Sequence, residues 1–159
     1  DVAPSRGLGD VYKEEYIQHG VTSCLEHCIA VAYVSFALAK KFNITCDYNS
    51  LIRGALLHDY FLYDWHIKDD AHKWHGFHHA KKALINATRD FDLTLIEMDI
   101  IEKHMFPLNI RLPKYRESYL VSLSDKICSS YEVIYKTAAL LYKDYKADIN
   151  NKHYIIIIS

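Results

Sequence analysis

The sequence predicts an all-α domain built from five main helices, and three observations support this fold class. Glycine and proline number only five and three in 159 residues, and so few breakers favour long helices over many short strands. Apolar residues recur at helical spacing in several long segments. No alternation of strand and helix patterns indicates a parallel sheet. The length fits one domain over residues 1–159, with its core at roughly residues 20–145.

The first two helices carry clear start or end signals. Ser23 is a plausible N-cap with Glu26 as its capping-box partner, and the first helix should run to about Phe42. A second helix should begin near Tyr48, after a turn, and close on the doublet His58–Asp59. The apolar positions of the first helix are Leu25, Ile29, Ala32, Phe36 and Ala39.

Three more helices follow. The third is expected over Phe77–Thr88. The fourth should start at a second capping box, Thr94 with Glu97, and end at His104. The fifth is the longest, over about Arg116–Tyr145, with a broad apolar side.

Three segments lack a helical pattern. Residues 1–10 read as a loose lead-in, and residues 60–74 predict a structured, partly buried loop rich in aromatic and charged side chains. The closing YIIIIS resembles a strand, but nothing in the sequence places it.

Composition and charge exclude several classes of protein. The formal net charge of −1 gives no electrostatic case for general nucleic-acid binding. No apolar run approaches the roughly 20 residues that a membrane helix needs, and no signal-peptide pattern opens the chain. Cys24 and Cys28 lie four apart on a predicted helix, a poor spacing for a disulfide. We therefore expect reduced thiols and a cytoplasmic protein.

Histidines and aspartates fall at the ends or apolar faces of these helices. The stretch ALLHD closes an apolar helix with His58 and Asp59, His27 lies near the apolar face of the first helix, and His104 ends the fourth. Imidazole and carboxylate groups are common metal ligands. Adjacent His58 and Asp59 lie about 100° apart on a helix, but at a helix end they can still converge on one ion or bridge two.

Asp125 is the most informative of these residues. It lies beside an apolar face of the fifth helix, where burial of an ionised carboxylate needs a counter-charge. A divalent cation would supply that charge. A helix-dipole contact, or an ion pair with Lys126 or Arg116, would also do so.

The candidate residues follow a specific order along the chain. A single histidine comes first, then a His-Asp doublet that closes an apolar helix, and then a distant aspartate within a helix. Here they are His27, His58–Asp59 in ALLHD, and Asp125 in VSLSDKI. This pattern resembles the HD-domain superfamily of metal-dependent phosphohydrolases, over roughly residues 20–135. The resemblance implies an HD-domain helical bundle that hydrolyses a phosphate ester or nucleotide with a metal-activated water.

Two further histidines resemble those of a two-metal subgroup. The first additional ligand of that subgroup aligns best with His79 in FHHAKKALINA, and His78 and His75 are the alternatives. The second corresponds to His104 in IIEKHMF. The six-residue set would be His27, His58, Asp59, His79, His104 and Asp125. Without the additional pair, the site reduces to the four-residue core. The chain lacks the GYP motif, so cyclic-di-GMP phosphodiesterase activity is not expected.

The resemblance also implies roles and cofactors. Asp59 would bridge one or two divalent transition metals, drawn from Fe, Mn, Zn, Co and Ni, and position the attacking water. Asp64 is a candidate for proton transfer to the leaving group, and His75 is a candidate for an outer-sphere or substrate contact.

Lys126, Arg111 and Lys82 are candidate anchors for a small phosphorylated substrate. The context resembles small bacterial HD-domain hydrolases. An HD-fold di-iron oxygenase and a non-catalytic metal-binding module are the alternatives, and a homo-oligomer is left open.

Overall fold

The computed structural model describes residues 17–19, 22–60 and 75–151. Within these ranges the chain is an all-α bundle, as predicted, and it is preceded by a short strand pair that the sequence did not indicate. The strands β1 (Ile17–His19) and β2 (Thr22–Ser23) pair antiparallel, with Ile17 opposite Ser23. The helices of the described residues are α1 (Cys24–Lys41), α2 (Tyr48–Leu57), α3 (His75–Asp90), α4 (Leu95–Lys103) and α5 (Arg116–Asn151).

Both predicted capping boxes are confirmed. Ser23 accepts from the backbone of Glu26, whose carboxylate accepts in return from the Ser23 backbone at 3.0 Å. Thr94 and Glu97 form the same reciprocal pair at the start of α4. Each pair satisfies helix N–H groups that have no partner within the helix. Local sequence therefore sets where α1 and α4 begin.

The bounds of two helices differ from the predicted ones. Helix α3 begins two residues earlier and ends two residues later than predicted, and α5 continues to Asn151 rather than Tyr145. Neither glycine nor proline follows Pro113, so nothing local stops α5 where its apolar pattern fades.

Several predicted features lie outside the described residues. These are the lead-in at 1–10, the loop at 60–74 apart from Tyr60, and the closing YIIIIS. Among the described helices, none combines the length and apolar character needed to cross a membrane.

Two apolar clusters form the core. One joins α1, α2, α3 and α4 through buried residues such as Cys28, Leu57 and Ile101. The other joins α1, α2, α4 and α5 through residues that include Val31 and Val121. Along α1 the first cluster ends at Cys28 and the second begins at Val31.

Helices α2 and α4 approach closely at Gly54. A Cβ atom added there would lie 2.6 Å from Ile100 Cδ1 and 3.1 Å from Ile100 Cβ. The first contact is too short for carbon atoms and the second is tighter than most, so the absence of a side chain at Gly54 lets the two helices pack at this distance. These are the helices that lead into His58–Asp59 and His104.

We predict that Gly54→Ala destabilises the protein by about 1–3 kcal/mol, because overpacking outweighs the usual gain from alanine in a helix. Chemical denaturation would measure the change. The double variant Gly54→Ala/Ile100→Val removes the atom at 2.6 Å and should lose less stability than the two single changes added together. A Gly54→Ala protein as stable as the wild type would contradict this account of the packing.

Candidate metal centre

The structure brings together all six side chains of the predicted ligand set. They come from α1, α3, α5 and the ends of α2 and α4, and each is at least nine-tenths buried as a residue. Burial of so many ionisable groups is costly unless they balance one another or bind a cation. The set consists of His27, His58, Asp59, His79, His104 and Asp125.

One group of ligand atoms forms around Asp59 Oδ1. His79 Nε2 and His104 Nε2 each lie 3.4 Å from this oxygen, and the two nitrogens are 2.8 Å apart. Two ligand atoms that bind one ion at about 2.0–2.2 Å are separated by about 2.8–3.6 Å in tetrahedral or octahedral geometry. These three atoms therefore have the spacing of a metal-binding triad.

A second group forms around the other oxygen of the same carboxylate. His58 Nε2 lies 3.5 Å from Asp59 Oδ2 and 3.9 Å from Asp125 Oδ1. His27 Nε2 lies 3.2 Å from Asp125 Oδ1. His27, His58 and Asp59 again offer ligand atoms within 4.8 Å of one another. Asp59 thus directs one oxygen to each group.

Backbone carbonyls orient two of the imidazoles. His58 Nδ1 donates to Ala55 O at 2.7 Å, and His104 Nδ1 donates to Ile101 O at 2.9 Å. Each acceptor is the carbonyl three residues earlier, at the end of the helix. Once such a ring is neutral, with its remaining proton on Nδ1, its Nε2 offers a lone pair to the centre. Among the described residues, the buried His58 Nε2 has no hydrogen-bond partner.

Carboxylates hold protons on two of the histidines in the metal-free protein. Burial alone would lower the pKa of His27, but hydrogen bonds with Asp125 and Glu132 raise it to about 11. Burial would likewise lower the pKa of His58, but the charge of Asp59 raises it to about 9.

The pKa values of Asp59 and His104, by contrast, are lowered. Burial would raise the pKa of Asp59, but the charge of His58 and the neighbouring imidazoles of His104 and His79 hold it well below its usual range. Burial lowers the pKa of His104, with partial opposition from Asp59. Asp59 therefore stays ionised and His104 neutral, as metal ligands must be, whereas His27 and His58 must release a proton before they bind an ion.

The donor set fits a metal. Imidazole nitrogens and carboxylate oxygens suit Fe, Mn, Co, Ni and Zn, and the separations around Asp59 Oδ1 match ligands of a shared ion. The family model for the HD domain matches residues 24–130, about two thirds of the 159-residue chain. The chain belongs to the HD-domain family. No curated protein and no solved structure gives a significant match to it.

Membership of the HD family places this centre in a superfamily of metal-dependent hydrolases whose domains bind divalent metals. The matched region contains all six centre residues. The described residues hold two overlapping triads able to take a metal ion. The identity and number of ions, and the ligand role of each residue, stay predictions.

The structure adds a residue that sequence reasoning missed. Glu132 Oε1 accepts from His27 Nδ1 at 3.0 Å, on the side of the ring opposite Asp125. Glu132 follows Asp125 by two helical turns, so the periodicity of α5 places both on one face. The two-turn spacing from Asp125 could have indicated Glu132, but in a helix of 36 residues such spacing is too common to single out one residue.

Lys126 is close to the centre but is already engaged. Its ammonium donates to His104 O at 2.9 Å and to Ser122 at 3.2 Å, and lies 3.7 Å from Asp125 Oδ2. It ties α5 to the end of α4. Its predicted contact with substrate stays a prediction.

The other candidate residues lie farther out or are not described. Arg111 donates to Glu102 Oε1 at 2.7 Å and lines an open cavity of about 720 Å³, together with Lys81. Lys82 is exposed on α3. Asp64, and the side chains of His75 and the rival ligand His78, lie outside the described part of the chain.

We predict that the wild-type HD domain binds two divalent ions per chain, because Asp59 offers one oxygen to each triad. His79→Ala and His27→Ala should each retain one ion. Elemental analysis after dialysis would measure the stoichiometry, with exposed Asp92→Ala as the control that retains both. Retention of two ions by His79→Ala would exclude this assignment.

We also predict that metal affinity increases with pH. Because the pKa of His27 is raised to about 11 and that of His58 to about 9, both rings are protonated at neutral pH in the metal-free protein. An ion must displace these protons, so affinity should rise between about pH 6 and pH 8.5, by up to about tenfold per proton per pH unit.

Calorimetry in buffers of different ionisation enthalpy would detect the released protons. An affinity that stays constant over this range would show that neither ring is charged before the ion binds.

Proposed function

We propose that this HD domain is a two-metal phosphohydrolase that cleaves a small phosphate ester or a nucleotide. The observation that carries the proposal is the position of the Asp59 carboxylate between two groups of histidines. Its Oδ2 lies 3.5 Å from His58 Nε2, and its Oδ1 lies 3.4 Å from both His79 and His104. A carboxylate that faces two groups of ligand atoms suits a pair of ions that share one bridge.

The charge of such a centre favours an anionic substrate. Two divalent ions carry four positive charges, and the carboxylates of Asp59, Asp125 and Glu132 offset three of them, leaving a formal charge of +1. In a buried site this charge is poorly screened. A phosphate group would add the missing negative charge.

Each residue has a defined part in the proposed reaction. Asp59 would bridge the ions, His27, His58 and Asp125 would hold one of them, and His79 and His104 would hold the other. When bound, two such ions lower the pKa of a water and stabilise the charge on a phosphoryl group. The protein supplies position and charge, which is most of what phosphoryl transfer requires.

The substrate's phosphate needs cationic contacts outside the ligand set. Lys126 is the nearest candidate, because its ammonium lies 3.7 Å from Asp125 Oδ2. Arg111 and Lys82 are proposed as more distant contacts for the rest of the substrate. Asp64 and His75 keep their proposed roles in proton transfer or outer-sphere contacts. We propose that the protein acts on this substrate in the cytoplasm.

A di-iron oxygenase would use the same six side chains, so ligand geometry does not separate the two activities. Oxygen dependence does. A hydrolase releases phosphate under nitrogen, whereas an oxygenase needs dioxygen and iron. A non-catalytic domain would bind metal without turning over any substrate.

The test is phosphate release from a panel of phosphomonoesters and nucleotides, under nitrogen, after separate loading with Mn, Co, Ni, Zn or Fe(II). We expect turnover with at least one metal, and a loss of more than about a hundredfold in Asp59→Ala, since even changes outside the ligand shell cost about 10–100-fold. Exposed Asp92→Ala should keep wild-type activity.

Circular dichroism of both variants would show that the fold persists. The hydrolase proposal would be contradicted if the iron-loaded protein took up oxygen and released no phosphate from any member of the panel.

A further inference from the structure

Glu132 is turned toward the protein interior in a part of α5 whose neighbouring residues face solvent. Its side chain is 10% exposed, whereas Tyr131 and Val133 are 68% and 52% exposed. Burial of a carboxylate needs a compensating partner. Among the described residues, the hydrogen bond that the Glu132 side chain makes is to His27, and its second oxygen, Oε2, is buried without one.

The bond joins two residues that are 105 positions apart in the sequence, at 3.0 Å. On the other side of the ring, His27 Nε2 faces Asp125 Oδ1 at 3.2 Å. Asp125, Ser129 and Glu132 follow one another at helical spacing on α5, and Ser129 donates to Asp125 at 3.3 Å. One face of α5 thus contacts both edges of the His27 imidazole.

The geometry points to Glu132 as a positioning residue that fixes His27 for metal binding. Glu132 accepts the Nδ1 proton of His27, which leaves Nε2 to bind the ion on the side of Asp125. A carboxylate behind a ligating histidine sets the tautomer and ring orientation and increases the basicity of the ligand nitrogen. This inference rests on the metal binding that the proposed function requires.

The alternative is a purely structural role, in which Glu132 supplies a counter-charge that stabilises the fold. Glutamine separates the two effects, because its amide oxygen still accepts the hydrogen bond but carries no charge. Glu117 provides the matched control. It is a buried glutamate in the first turn of the same helix, and it accepts from the Asp47 backbone at 2.8 Å.

The experiment measures Zn²⁺ affinity by chelator competition in four variants: Glu132→Ala, Glu132→Gln, Glu117→Ala and Glu117→Gln. We expect Glu132→Ala to weaken binding of the ion at His27 by about 10–100-fold and Glu132→Gln to weaken it less. The Glu117 variants should lower thermal stability but retain wild-type Zn²⁺ affinity. At saturating Zn²⁺ all four should bind as many ions as the wild type.

Nitrogen-15 NMR of the Zn²⁺-loaded protein gives a second readout. The wild type should show a slowly exchanging Nδ1–H signal, assigned to His27 by its absence in His27→Gln. The signal should shift in Glu132→Gln and disappear in Glu132→Ala. Because the wild type alone reports this bond, the inference stays testable even if Glu132→Ala does not fold.

Three results of the Zn²⁺-binding measurements would overturn the inference while leaving the proposed function intact. These are wild-type affinity in Glu132→Ala, an equal loss of affinity in Glu117→Ala, and loss of one ion at saturation in Glu132→Ala, which would make Glu132 a ligand. Lack of the Nδ1–H signal in the Zn²⁺-loaded wild type would also overturn it. A wild type that binds no metal would instead remove the proposed function together with this inference.

Discussion

Histidines from several helices share one buried carboxylate, that of Asp59, and the rest of the structure depends on this interaction. Its two oxygens lie 3.4–3.5 Å from His58, His79 and His104. In water the attraction between these groups would be weak because the solvent screens it, but in the interior their charges must balance closely. The opposite pKa shifts of His58 and Asp59 show this mutual dependence. A cation inserted among them would replace protons and complete the same balance.

The helical framework holds these side chains by contacts that are themselves mostly local or apolar. Capping boxes begin α1 and α4, and the close approach at Gly54 allows α2 and α4 to lie side by side. Asp99 on α4 accepts from the Lys114 backbone and from Ser118, so it holds the start of α5 against α4. The helix ends that carry the proposed ligands are thus held by contacts within the protein, which is what a preorganised metal centre requires.

Hydrogen bonds to groups outside the proposed ligand set orient three of the histidines. His58 and His104 are oriented by carbonyls of their own helices, whereas His27 is oriented by Glu132 from a distant part of the chain. The difference follows from position. His58 and His104 stand at helix ends, where carbonyls lack partners, but His27 lies inside α1, where the carbonyls are already used. A side chain from another helix, that of Glu132, therefore accepts the Nδ1 proton of His27.

Sequence alone determined the features that depend on neighbours along the chain. The two capping boxes, the order of five helices and their apolar faces follow from residues within a few positions of one another. The His-Asp doublet and the distant Asp125 indicated an HD domain through their order, and the family match over residues 24–130 confirms it.

Only the tertiary structure decided which oxygen of Asp59 faces which histidine, that Lys126 donates to the His104 carbonyl, and that Glu132 supports His27. The last two contacts join residues that are 22 and 105 positions apart in the sequence. They depend on how helices rotate and pack against each other, which local spacing does not specify.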